Sequence, residues 1–208
     1  MILTELRPGE KLPNEAELSS RFSASRSSVR EALQAIEALH IVEKRNGGTF
    51  VTSDMQECFV DPLRVMVQLN FVKKKELLEI RKMLETEAAG SCATRATEEH
   101  VLKLENITWL MQKPNIGIEE YLDLDVQFHL AIAEASGNSV LCQLMKDVST
   151  VVFKFFPRVC TLEIAKESAI PLKLSLTQAI KNRNIEQART IMAKHMDEFI
   201  MLMETDII

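Results

Sequence analysis

Ser25-Arg26-Ser27-Ser28-Val29-Arg30-Glu31-Ala32-Leu33 opens a helix. Ser25 is a good N-cap residue, and Val29, Leu33, Ile36 and Leu39 recur at helical spacing to make a buried face. Arg26, Ser27 and Arg30 fall off that face, in the first turns. Just upstream, Asn14 and Glu17 form an Asn-x-x-Glu capping box after Pro13, and Leu18 and Phe22 supply the stripe of a shorter helix. Ser23-Ala24-Ser25 breaks the chain between the two. Two helices joined by a tight turn, the second presenting Arg and Ser at its N-terminal end, make a helix-turn-helix with a recognition helix.

The next segment reads as a hairpin, with strand Ile41 to Arg45, turn Asn46-Gly47-Gly48 and return strand Thr49 to Thr52. A hairpin placed there is a wing, whose Arg45 and glycine tip would meet a DNA backbone or minor groove. Arg26 and Arg30, four residues apart, repel by about 0.2–0.5 kcal/mol. A merely structural surface would more often pair opposite signs there. The alternative is a solvated face with salt bridges to Glu31 or its neighbours.

The whole chain of 208 residues carries 25 Lys+Arg against 30 Asp+Glu, a net charge of −5. That excludes a grossly basic polyelectrolyte binder. Residues 1–52 hold seven basic and seven acidic residues, so the acidity belongs to the remainder. Few Gly and Pro, ten Met and only 5% aromatics favour helices over an all-β fold. Cys58, Cys92, Cys142 and Cys160 form no Cys-x-x-Cys, which points to free thiols in a reducing cytosol. No apolar run reaches membrane-spanning length, so a cytoplasmic protein without a membrane partner is expected. The fold expected is mainly α: a winged helix-turn-helix over 1–53, then an all-α bundle over 54–208. Six or seven helices are read there, at 60–70, 74–96, 98–112, 118–135, 138–157, 163–182 and 185–204.

Helix 118–135 places Tyr121, Leu124, Phe128 and Ile132 at core spacing, with Asp125 and His129 on the same side. The last helix puts His195 into a stripe of Ala188, Ile191, Met192, Phe199 and Leu202. Carboxylate and imidazole groups in apolar stripes are costly unless paired or bound to a metal. Asp125, His129 and His195 are therefore candidates for one interior site, the alternative being a hydrogen-bonded Asp–His pair and an unrelated core His. Arg81 lies on a stripe with Leu77, Leu84 and Ala88 and needs an anionic partner, either a buried carboxylate such as Asp125 or a ligand carboxylate. Phe153, Phe155 and Phe156 read as core or dimer packing.

Residues 7–51 resemble the winged-helix domain of the GntR family of bacterial transcription regulators. The matching stretches are Arg7-Pro8-Gly9-Glu10-Lys11-Leu12-Pro13, Glu15-Ala16-Glu17-Leu18, the Ser25 to Leu33 string and Gly47-Gly48-Thr49-Phe50-Val51. The resemblance implies that Arg26 and Arg30 meet guanine edges and phosphates of double-stranded operator DNA, with Ser25, Ser27, Ser28, Arg45, Gly47 and Gly48 in support. Ala16 stands where the family commonly has an Arg. The family's domain also opens with a further helix, near whose end this chain starts, which would leave core exposed.

The remainder resembles the helical FCD effector domain of the FadR branch. The stretches are Arg81-x-x-Leu84-Glu85-x-x-Ala88-Ala89, Asp125-x-x-Phe128-His129, Ala135-Ser136-Gly137-Asn138, Ala179-Ile180 and Ala188-Arg189-x-x-Met192-x-x-His195. This implies a homodimer that senses a small anionic metabolite, with Arg81, Asn138 and Lys173 at the effector. Asp125, His129 and His195 match three of four ligands to a divalent metal such as Zn. Lys173 stands where the fourth, a His, belongs. An ammonium cannot ligate a metal. Either three ligands hold an ion weakly, or Lys173 replaces the ion and pairs with Asp125; the second is favoured. The competing functions are a helical-bundle metallohydrolase and a constitutive DNA-binding dimer.

Overall fold

The computed structural model describes residues 6–52, 60–155 and 161–205. It divides into two compact units, Met1–Asp61 and Pro62–Ile208.

In the first unit, helix α1 (Glu15–Phe22) starts with the expected capping box. Asn14 Oδ1 accepts from the backbone N–H groups of Ala16 and Glu17 at 3.0 Å, and Glu17 Oε2 accepts from Asn14 N–H at 2.9 Å. Ser23, in the left-handed region at φ 51°, closes the helix. Helix α2 (Arg26–Ala38) follows at once, with Ser25 Oγ accepting from Ser28 N–H at 3.1 Å. Val29 is buried and Leu33 and Ile36 are half-buried, but Leu39 is 58% exposed, so the buried face ends a turn earlier than its spacing suggests.

Strands β1 (Val42–Arg45) and β2 (Gly48–Val51) pair antiparallel in the register Val42↔Val51 to Arg45↔Gly48. Gly48 thus belongs to the return strand, and the turn proper is Asn46-Gly47, with Gly47 at φ +100°. The segment before α1 runs along the other edge of β2, through Leu12 N–H to Thr49 O at 2.8 Å and Val51 N–H to Glu10 O at 2.8 Å. Periodicity does not reveal that pairing, because residues 9–12 carry no alternating apolar pattern.

The second unit is helical throughout its described residues. The chain enters through α3 (Val60–Gln68), which begins at the boundary between the units. Then come α4 (Lys74–Arg95), α5 (Glu98–Met111), α6 (Ile118–Ala135) and α7 (Ser139–Phe155). A short α8 (Leu162–Ile164) runs through a π-helical turn, Ala165–Ala169, into α9 (Ile170–Lys181), and α10 (Ile185–Thr205) ends the description. A break at Pro171 is what composition suggests; instead the helix passes through it. Pro171 has no N–H and its ring would crowd the carbonyl four residues back. The ladder widens just ahead of it, so that Ile170 N–H donates to Ala165 O.

The core of this unit joins α4, α6, α9 and α10. Ala88, Ala89, Cys92, Phe128, Ile132, Ile180, Ala188 and Met192 are all fully buried. Small residues on α4 let α10 approach closely: a Cβ on Gly90 would stand 2.6 Å from Arg189 Nε. Burial pushes the Cys92 thiol up to about 12, so it behaves as a small apolar group. Cys58, Cys160 and Phe156 lie outside the described residues, as does the side chain of Phe155. No helix among the described residues is long and apolar enough to cross a membrane.

Candidate functional site

The first candidate is the exposed start of α2. Arg26, Ser27, Ser28 and Arg30 are exposed there, while Val29 anchors the helix beneath them. Ser25 Oγ also lies 2.8 Å from both Ser27 Oγ and Ser28 Oγ, so the three hydroxyls form one cluster at the helix N-terminus. Arg30 is held by Glu15 of α1, not by Glu31 or another residue of its own helix: Nε and Nη2 donate to the two carboxylate oxygens at 3.1 and 2.8 Å. The hydrogen bond to Arg30 is the main cause that holds the Glu15 carboxyl below its ordinary value. On the wing, Arg45 pairs with Glu43 at 2.5 Å and lies over the Phe50 ring at 5.7 Å. Asn46 and Gly47 form the tip, and Gly48 opens the return strand beside it.

The second candidate is interior to the helical unit. Arg81 and Glu85 of α4, Asp125 and His129 of α6, Lys173 of α9 and His195 of α10 form one connected chain. Arg81 Nε donates to Glu85 Oε1 at 3.3 Å, and His129 Nδ1–H donates to Glu85 Oε2 at 2.8 Å. Lys173 Nζ donates to Asp125 Oδ1 at 2.8 Å and lies 3.3 Å from His195 Nε2. The ammonium has only donors, so His195 Nε2 accepts and its proton sits on Nδ1. The two imidazoles stack with centroids 5.3 Å apart.

Electrostatics follow from that wiring. Burial is the largest influence on Asp125 and would raise its pKa, but Lys173, His129 and His195 together outweigh it and hold the carboxyl far below its ordinary value. Glu85 is likewise lowered: burial opposes, while His129 and then Arg81 prevail. His195 is pushed well below the usual imidazole value by burial first, and by Lys173 and His129 next.

Asp125, His129 and His195 offer ligand atoms within 4.8 Å of one another, as a metal site would. The Lys173 ammonium stands among the same atoms, within hydrogen-bond reach of Asp125 and His195. A cation carried by the chain thus serves the donors that a divalent ion would need, and the set as it stands does not fit an added ion.

A small cavity opens beside this network. Arg81, Asp125, His129 and His195 line it, together with Phe153 and Phe199. The Arg81 guanidinium lies 4.8 Å from both phenyl centroids. Its Nη1 is buried and has no hydrogen-bond partner among the described residues.

Not every residue read from the sequence arrives here. Lys173 is 1% exposed and sits behind Asp125, away from the cavity lining. Asn138 is exposed and its Oδ1 accepts from Leu141 N–H at 3.1 Å; it caps α7 and does not line the cavity. The partner of Arg81 is Glu85, not Asp125. Phe153 lines the cavity, where packing alone was expected. Glu85 was the residue missed; its position four after Arg81, on the face that buries Leu78, Ala88 and Cys92, is the signal.

The comparisons agree with these two units. Residues 1–51 match the model for bacterial regulatory proteins of the gntR family, and residues 76–198 match the FCD domain. The chain belongs to the GntR family, in its FCD-containing branch. The HTH-type transcriptional regulator LutR of Bacillus subtilis is 35% identical over 151 residues, 72% of this chain and 69% of that protein. The putative L-lactate dehydrogenase operon regulatory protein of Escherichia coli is 34% identical over 148 residues, 68% of this chain and 56% of that one. The solved Streptococcus agalactiae GntR structure superposes with a TM-score of 0.72 at 27% identity, covering 98% of this chain and 93% of its own. This GntR-family chain is therefore a transcription regulator and not an enzyme, and the metallohydrolase alternative falls away.

Proposed function

We propose that this GntR-family regulator binds a palindromic operator as a homodimer through Arg26 and Arg30, and that a small carboxylate metabolite in the Arg81 cavity modulates that binding. The observation that carries the effector reading is the Arg81 guanidinium: 2% exposed, held between two phenyl rings, with Nη1 unpaired at a cavity wall. A buried donor without a partner costs about 1–3 kcal/mol, which an entering carboxylate recovers. The operon named for the Escherichia coli relative concerns lactate, itself a small carboxylate. Lys173 takes the place of the metal, neutralising Asp125 so that sensing proceeds without an ion.

The effector acts only through a difference in its affinity for the DNA-bound and free arrangements, with coupling of about 1–3 kcal/mol. The test is an operator selected from random DNA, titrated by fluorescence anisotropy with and without small carboxylates. A carboxylate-dependent change in operator affinity that Arg81→Leu abolishes supports the proposal. Operator affinity indifferent to every carboxylate leaves the constitutive dimer as the better reading.

A further inference from the structure

A second polar pair lines the same cavity and has no part in the chain from Arg81 to Lys173: Ser168 of the π-helical turn and Glu198 of α10. Ser168 Oγ–H donates to Glu198 Oε2. Having given up its one proton, the hydroxyl has only lone pairs left to offer. The carboxylate is an acceptor throughout. Among the described residues its other oxygen meets only a weak ion pair, 3.9 Å from the 66% exposed Lys194 ammonium. The cavity therefore carries a donor-only group, the unpaired Arg81 Nη1, and an acceptor-only pair, Ser168 with Glu198.

We propose that Ser168 and Glu198 form a specificity-determining subsite for a second polar group of the effector, a hydrogen-bond donor carried on the molecule whose carboxylate meets Arg81. This rests on the carboxylate reading above and narrows it. The donor is a hydroxyl or a protonated amine, so the effector class is a hydroxy- or amino-carboxylate. A dicarboxylate is rejected, because its second anion would face Glu198 with no proton to share. A plain fatty acid offers the pair no donor and so gains nothing from it. Ser168 belongs to the widened turn ahead of Pro171 and lines the cavity wall.

The experiment is calorimetric titration of the full chain with a four-carbon series: butyrate, its 2-, 3- and 4-hydroxy derivatives, the corresponding amino acids, and succinate. At least one hydroxy or amino acid is expected to bind about tenfold more tightly than butyrate and succinate. Whether a hydroxy or an amino acid leads identifies the donor. Glu198→Gln should shrink that preference to about twofold. Ser168→Ala serves as a second variant if the first folds poorly. Succinate or butyrate binding as tightly as every hydroxy and amino acid, or a preference that survives both variants, overturns the subsite. If affinities are indifferent to Arg81→Leu, or no carboxylate binds, the carboxylate reading itself fails and the subsite with it.

Discussion

Lys173 is the residue on which the interior of the helical unit turns. Its ammonium is 1% exposed and its firmest partner is Asp125, at 2.8 Å. Lys173→Met removes one half of that pair and leaves a carboxylate without its counter-ion. Breaking a buried pair costs about 3–5 kcal/mol, and the partial solvent access of Asp125 places this one at the low end; urea denaturation at pH 7 measures it. The sign with pH is definite. Asp125 is lowered in the folded state, so its contribution is complete above the ordinary carboxylate value near 3.9 and is lost as pH falls through the folded value. His195 is also lowered. The unfolded chain therefore binds the extra proton below about pH 6.5, and stability falls as pH drops from there. His195→Gln should flatten the decline between about pH 6.5 and 5 in the same denaturation series. Lys173→His replaces the ammonium with a ligand and should create stoichiometric transition-metal binding, read by elemental analysis; no gain would mean that position 173 is not the fourth ligand position.

At the scale of elements, α2 and the π-helical turn carry the proposed operator contact and effector subsite. Helix α2 depends on its cap, because Ser25 Oγ answers an N–H that the helix cannot satisfy itself. Ser25→Ala should lower stability by about 1 kcal/mol in thermal unfolding. It should also weaken operator binding, since the same hydroxyl orders Ser27 and Ser28. Arg30→Ala should cost about 1–3 kcal/mol of specific operator affinity if the guanidinium reads a base, as measured by anisotropy. Glu15 holds that guanidinium through both carboxylate oxygens, an arrangement that orients it but competes with an incoming phosphate or base. The helices of the second unit were legible almost residue for residue, because long 3.6-residue patterns end at strong caps and breakers. The widened turn was not, since a π-turn preserves helical composition and only the geometry around Pro171 reveals it.

At the scale of the whole molecule, the net charge of −5 describes the first quarter of the chain poorly. Residues 1–52 are neutral overall, and the basic groups proposed to meet DNA are Arg26, Arg30 and Arg45. Operator affinity should therefore have a modest salt slope, and Arg26→Ala should reduce the slope by about one if Arg26 meets a phosphate. The sequence by itself determined the helix-turn-helix, the wing, the helical bundle and the placing of Asp125, His129 and His195 on core-facing stripes. Those are matters of local pattern: caps, periodicity, and polar residues set into apolar stripes. Tertiary structure decided who pairs with whom. It gave Arg81 to Glu85, withdrew Asn138 to a helix cap and brought Phe153 and Ser168 to the cavity wall. The reason is physical. One-dimensional spacing says which face of a helix a residue occupies, whereas the distance between charges on different helices depends on how four helices pack, and no single stripe records that.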